Sequence, residues 1–240
     1  MYRSVKSVAF SAGVVVVLTS NIFMLVYPKL RDSFKVAKPY VEMNLKGIME
    51  AQEKRLGIKH SGAPAIEYSY PPSSSIETRS HTGIYDPDSN TLYLPSTCSE
   101  IPGREWETVL MRLLTLGAFP CTNIKEVLDH ELGHFYEDRL LENAGLDYMQ
   151  IVQTNLGART IAEGIAEYFK MSMNRKEGDA TSYYDLDVSE NIYYRGYGIV
   201  KPIIDLYGVR GIAYLVLDLP SDEELKPAKA YIAKVLENLQ

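Results

Sequence analysis

The chain has 240 residues, 46% hydrophobic and 23% charged, which excludes wholesale disorder and leaves room for one ordinary domain plus an appendage. Its formal net charge of −6 averages two unlike parts: residues 1–40 carry Arg3, Lys6, Lys29, Arg31, Lys35 and Lys38 against Asp32, a balance of +5, and the other 200 residues carry −11. An acidic body repels phosphate, so nucleic acid is not an expected partner. Two cysteines, Cys98 and Cys121, are too few for a disulfide framework or a metal site of cysteines alone, and either one bridge or two free thiols remains open.

No charged residue lies between Lys6 and Lys29, and residues 8–27 are apolar apart from Ser11, Thr19, Ser20 and Asn21. About 20 residues at 1.5 Å each span a 30 Å hydrocarbon layer. Tyr27 and the cations beyond it suit the interface. Residues 1–28 are therefore expected to be an N-terminal transmembrane anchor, in contact with lipid through 8–27. A cleaved signal peptide is the main alternative, but its apolar region is usually shorter and no convincing small-x-small cleavage site precedes Pro28. A core helix is a poorer one, because the stretch is apolar on every face. A single-pass membrane protein follows. A long domain behind such an anchor is expected outside the cytoplasm, although the Lys29–Lys38 cluster pulls toward the opposite orientation.

Residues 29–60 read as a juxtamembrane stalk, helical through Val41, Leu45, Ile48, Met49 and Leu56. Residues 61–240 then form the body. A Gly/Pro/Ser-rich passage holds a short strand candidate, Ala65–Tyr70. Gly83-Ile84-Tyr85 and Thr91-Leu92-Tyr93-Leu94 flank Asp86-Pro87-Asp88-Ser89-Asn90, a hairpin pattern. Helices are expected at 104–117, 124–143, 159–173, 192–207, 209–217 and 222–238. Strands followed by a run of helices predict an α+β domain.

The helix expected at 124–143 opens with Asn123 and Glu126 in capping-box spacing, and Gly145 follows its end. It carries His130-Glu131-Leu132-Gly133-His134, which uses two of only four histidines in the chain. Positions i and i+4 share a helix face, so the two imidazoles can occupy adjacent corners of one zinc tetrahedron. Glu131 sits about 100° round the helix, where it reaches a water on the metal rather than the metal itself. A catalytic zinc needs a third protein ligand. Glu163 and Glu167 lie i, i+4 on the next long helix, beside Gly164 and Ala166, small residues that admit a closely packed neighbour.

His130–His134 followed by Glu163-Gly164-Ile165-Ala166 resembles the gluzincin metallopeptidases, the superfamily of thermolysin and the zinc aminopeptidases. The resemblance implies a zincin-like catalytic domain with one zinc held by His130, His134 and Glu163, and Glu167 orienting a liganding histidine. Tyr193-Tyr194-Arg195-Gly196 resembles the segment whose tyrosine steadies the oxyanion in the aminopeptidase branch. That implies Tyr193 as a catalytic residue, with Tyr194 and Tyr197 as open alternatives. Gly83–Leu94 resembles the edge strand that pairs with extended substrate, which implies Gly83, Ile84 and Tyr85 as substrate-binding residues. The resemblance covers roughly residues 80–208. The chain departs from the family in lacking the aminopeptidases' Gly-x-Met-x-Asn motif and the thermolysin calcium regions. It also carries a longer passage, 135–162, between the second histidine and the third ligand.

The chemistry implied is hydrolysis of peptide bonds in a peptide or protein substrate by a metal-activated water, with Glu131 as general base. Two other readings stay open: a membrane-tethered zinc-binding scaffold that does not cleave, and a zinc hydrolase acting on a non-peptide bond. Retention of Glu131 weighs against the first, since a metal clip needs no base.

Overall fold

The computed structural model describes residues 37–59, 62–68, 83–94, 99–100, 122–174 and 191–240. The expected anchor at 8–27, the expected helix at 104–117, and both cysteines lie outside the described residues. Among the described residues no helix is long and apolar enough to cross a membrane. The architecture is mostly helical with one small three-stranded sheet, an α+β arrangement.

Helix α1 (Ala37–Leu56) covers the helical part of the segment read as a stalk. It does not stand apart from the body. Val41, Ile48, Met49, Gln52 and Leu56 are buried along one face, the i, i+7, i+8 pattern of an amphipathic helix. Val41, Ile48 and Met49 of that face share a core with the sheet, made of β1 (Ala65–Glu67), β2 (Ile84–Asp86) and β3 (Thr91–Tyr93), while Leu56 joins the larger core of helices. Strand order is β1-β3-β2, with β1 parallel and β2 antiparallel to β3, and Tyr85 opposite Leu92. The β2–β3 turn is held by Asp86, whose carboxylate accepts from the Asp88 amide (3.1 Å) and the Ser89 hydroxyl (2.7 Å). Asn90 takes the left-handed conformation, φ 49°, which asparagine tolerates better than most residues.

A second pair, β4 (Ser99–Glu100) and β5 (Thr122–Asn123), runs parallel and leads directly into α2 (Ile124–Asn143). Asn123 caps α2, its Oδ1 accepting from the amides of Lys125 (3.0 Å) and Glu126 (3.4 Å). The reciprocal bond of the expected capping box runs from the Asn123 side-chain amide to Glu126 Oε1, 3.2 Å, rather than from its backbone. At the other end Gly145 (φ 74°) closes a Schellman turn: its amide bonds Glu142 O and the Leu146 amide bonds Leu141 O, both at 2.9 Å.

Helix α2 divides the interior. Leu128, Leu132 and Phe135 face the sheet and α1, while Tyr136 and Leu141 face the remaining helices. Each fully buried Leu or Phe contributes about 1.5–3 kcal/mol. The larger core is formed with α3 (Tyr148–Thr154), α4 (Leu156–Asn174), α5 (Ile192–Tyr207), α6 (Val209–Leu217) and α7 (Ala228–Leu239). The expected helix at 222–238 starts late, because Pro227 biases Lys226 away from the helical region. The long passage after His134 accommodates one short helix, α3. Behind α2, buried Asp129 accepts from Gln52 of α1 (3.0 Å) and pairs with Lys125 (2.7 Å), tying α1 to the histidine-bearing helix.

Candidate metal centre

Three helices meet here at backbone contact. A Cβ added to Gly133 on α2 would lie 2.7 Å from Ala166 Cα on α4. A Cβ on Gly164 of α4 would lie 2.3 Å from Gly196 C on α5, and one on Gly196 2.1 Å from Thr160 O. The narrow face anticipated around Glu163 thus serves two partners: Ala166 receives α2 and Gly164 receives α5. The crossings bring His130 and His134 of α2 and Glu163 of α4 into one space, with Tyr193 at the start of α5 beside His130.

His130 Nε2 and His134 Nε2 lie 3.4 and 3.5 Å from the same atom, Glu163 Oε2. The three ligand atoms all fall within 4.8 Å of one another. Zinc bonded at 2.0–2.1 Å in a tetrahedron separates its ligand atoms by about 3.3 Å, so the two measured edges match that polyhedron. Glu163 Oε2 is buried with no hydrogen-bond partner within bonding distance among the described residues. An orphaned carboxylate oxygen is costly unless a cation completes it. Two imidazoles and a carboxylate also form a donor set that zinc accepts. The residues fit the ion.

Burial alone would push the Glu163 carboxyl up, but His130 and His134 outweigh it and hold Glu163 well below the usual carboxylate range. Burial likewise pushes His130 down, yet Glu163 and then Glu167 raise it overall. The two imidazoles thus favour the ionised form of Glu163.

The outer nitrogens of both rings are engaged as well. His130 Nδ1 faces Glu167 Oε2 at 3.4 Å, and Glu167 is itself bonded by Lys170 Nζ (2.9 Å). Burial opposes but does not prevent a lowered Glu167 pKa, which His130 and Lys170 produce. Glu167, expected to orient a liganding histidine, thus lies against the ring of His130. His134 Nδ1 meets Tyr148 Oη at 2.9 Å and Glu137 Oε2 at 3.8 Å. Neither residue was among the sequence candidates. Glu137 lies i+3 from His134 on the same helix and could have been found by that spacing; Tyr148 carries no local signal. Burial lifts the Glu137 carboxyl to about 7 despite the neighbouring imidazole.

Glu131 is 5% exposed and is tied to the sheet through one carboxylate oxygen. Its Oε2 accepts from the Tyr85 backbone amide at 2.9 Å. Gly83 allows this approach, since a Cβ there would meet Val127 Cγ1 at 2.6 Å and Glu131 Cγ at 2.9 Å. Strand β2 is an edge of its sheet among the described residues, and Gly83 and Tyr85 lie against Glu131. One edge amide, that of Tyr85, is already spent on Glu131, and the Tyr85 ring is buried with its hydroxyl donating to Asp138 (2.7 Å).

Of the three candidate tyrosines, Tyr193 approaches the ligands: its ring centroid is 6.0 Å from that of His130, and it remains 40% exposed at the start of α5. Burial, then the Glu163 charge, raises its phenol pKa, which keeps it a proton-bearing donor. Tyr197 is buried against Tyr168. Tyr194 is exposed. No protein-family profile, curated protein or solved structure matches this chain.

Proposed function

We propose that this protein is a zinc-dependent endopeptidase of gluzincin type, with a zincin-like catalytic domain tethered to a membrane through residues 8–27. The observation that carries the reading is the convergence of His130 Nε2 and His134 Nε2 on one unpartnered oxygen of Glu163, with Glu131 beside them but outside the ligand set. A structural metal clip would need the first three residues and not the fourth. Zinc bound there supplies a water with its pKa lowered toward about 7 and a Lewis acid for a carbonyl.

This chain's own groups supply the rest. The Tyr85 amide fixes Glu131 through Oε2, leaving Oε1 to accept the proton of the attacking water and return it to the leaving amine. Glu167 holds the His130 ring through Nδ1, so its Nε2 lone pair stays directed at the ion. Tyr193, half exposed at the site's edge, donates its hydroxyl to the developing oxyanion. The strand-edge position of Gly83 and Ile84 suits an extended peptide, and its side chains would then set preference. The absence of a Gly-x-Met-x-Asn motif favours internal bonds over free N-termini.

Purified full-length protein is expected to contain one zinc per chain and to cleave a peptide library at internal bonds. A chelator should abolish cleavage and added zinc restore it. Zinc at 100 times its dissociation constant should stabilise the chelated protein by about 2.7 kcal/mol, read as a rise in melting temperature. A wild-type protein that takes up no zinc, or one with zinc and no cleavage of any library peptide, would overturn the reading. Tyr193→Phe tests the oxyanion assignment separately. Loss of one such donor is expected to lower kcat by about 10²- to 10³-fold with KM and zinc content unchanged, and an unaltered kcat removes Tyr193 from the mechanism.

A further inference from the structure

The outer nitrogen of His134 faces two buried groups that peptide hydrolysis does not itself require. Tyr148 Oη is 2.9 Å from Nδ1 and Glu137 Oε2 is 3.8 Å from it. Their exposures are 7% and 1%. Glu137 is the unusual one. Its Oε1 is buried with no hydrogen-bond partner among the described residues. A carboxyl group so placed opposes folding, and an uncharged isostere would fill the same volume at lower cost. Such a group needs a reason outside packing.

We propose that Tyr148 and Glu137 are positioning residues that hold His134 in the tautomer carrying its proton on Nδ1, with the Nε2 lone pair aimed at the ion. The proposal rests on the reading of His130, His134 and Glu163 as metal ligands. The Nδ1–H donates to Tyr148 Oη, and Glu137 Oε2 lies 3.8 Å from the same nitrogen, where an oxygen acceptor favours that tautomer and fixes the ring. His130 has a parallel arrangement, with Glu167 behind its Nδ1. The two supports come from different places: Glu167 from the neighbouring α4, Glu137 from one turn along α2 itself, with Tyr148 supplied by the short α3. The extra passage between His134 and Glu163 thereby gains a function, because it brings Tyr148 to the ring.

The test is zinc affinity of the full chain, measured by competition with a chromophoric chelator for wild type, Glu137→Gln and Tyr148→Phe, alongside thermal melting of each zinc-free protein. Tyr148→Phe keeps the ring in the core and reads the hydroxyl alone. Affinity is expected to fall roughly 10- to 100-fold in each variant, while zinc-free Glu137→Gln melts no lower than wild type. Unchanged affinity in both variants overturns the proposal. So does a zinc-free Glu137→Gln that melts well below wild type or does not fold, the outcome of a purely structural role. Failure of wild type to bind zinc would instead overturn the metal reading on which the proposal rests.

Discussion

Glu131→Gln is expected to cut peptide hydrolysis by roughly 10²- to 10⁴-fold and to leave one zinc per chain in place. The substitution changes one atom and no volume. A glutamine oxygen can still accept from the Tyr85 amide, which bonds Oε2 at 2.9 Å in the wild type, so the contact between α2 and β2 survives. No ligand is lost, because the converging atoms belong to His130, His134 and Glu163. What disappears is a group able to take a proton from water and give it to the departing amine. Zinc content by atomic spectroscopy, library cleavage by mass spectrometry and melting temperature separate the possibilities. Hydrolysis at the wild-type rate would remove Glu131 from the chemistry. Loss of zinc would make it a ligand instead.

Gly164→Ala and Gly196→Ala are each expected to destabilise the protein by about 3 kcal/mol or more, the upper end of overpacking costs. The obstructing atoms are backbone, Gly196 C at 2.3 Å from one added Cβ and Thr160 O at 2.1 Å from the other. Backbone cannot rotate aside as a side chain can, so α4 and α5 must separate. Separation also draws Tyr193 away from His130. Gly47→Ala is the control of opposite sign. That glycine sits inside α1 with nothing within 4 Å of an added Cβ, so alanine there should stabilise by about 0.5–1 kcal/mol. Denaturant unfolding of the three variants checks both signs, and a Gly164→Ala protein as stable as wild type would contradict the helix crossing.

Gly133→Ala differs in consequence. It lies within the histidine motif and opposes Ala166 Cα at 2.7 Å, so its effect falls on the separation of His130 and His134 from Glu163. A metal-site role and a packing role meet in that one residue, which explains why a glycine stands between the two histidines in this chain.

Much of the site could be read directly from the chain because it is local. The i, i+4 spacing of His130 and His134 is set by helix geometry, whatever surrounds the helix. The same holds for Glu163 and Glu167, for the Asn123 cap, for Gly145 at the close of α2, and for the Asp86–Asn90 turn. Each depends on bonds or spacings within about five residues. The docking of α1 was not readable. Its apolar stripe shows which face is buried but not that the cover is the sheet and α2, where Gln52 finds Asp129. A stripe suits any apolar partner equally well.

The donor types and their helical order follow from the residue order alone: two imidazoles, a carboxylate one step round, and two carboxylates on a second helix. Helix packing is what turns a single oxygen, Glu163 Oε2, toward both Nε2 atoms, sets Tyr193 rather than Tyr197 beside His130, and places Tyr148 and Glu137 behind His134. The reason is distance along the chain. Helical periodicity specifies neighbours a turn away, whereas separations between helices are set by backbone contacts such as Gly133 on Ala166 and Gly164 on Gly196, made by residues that share no local pattern.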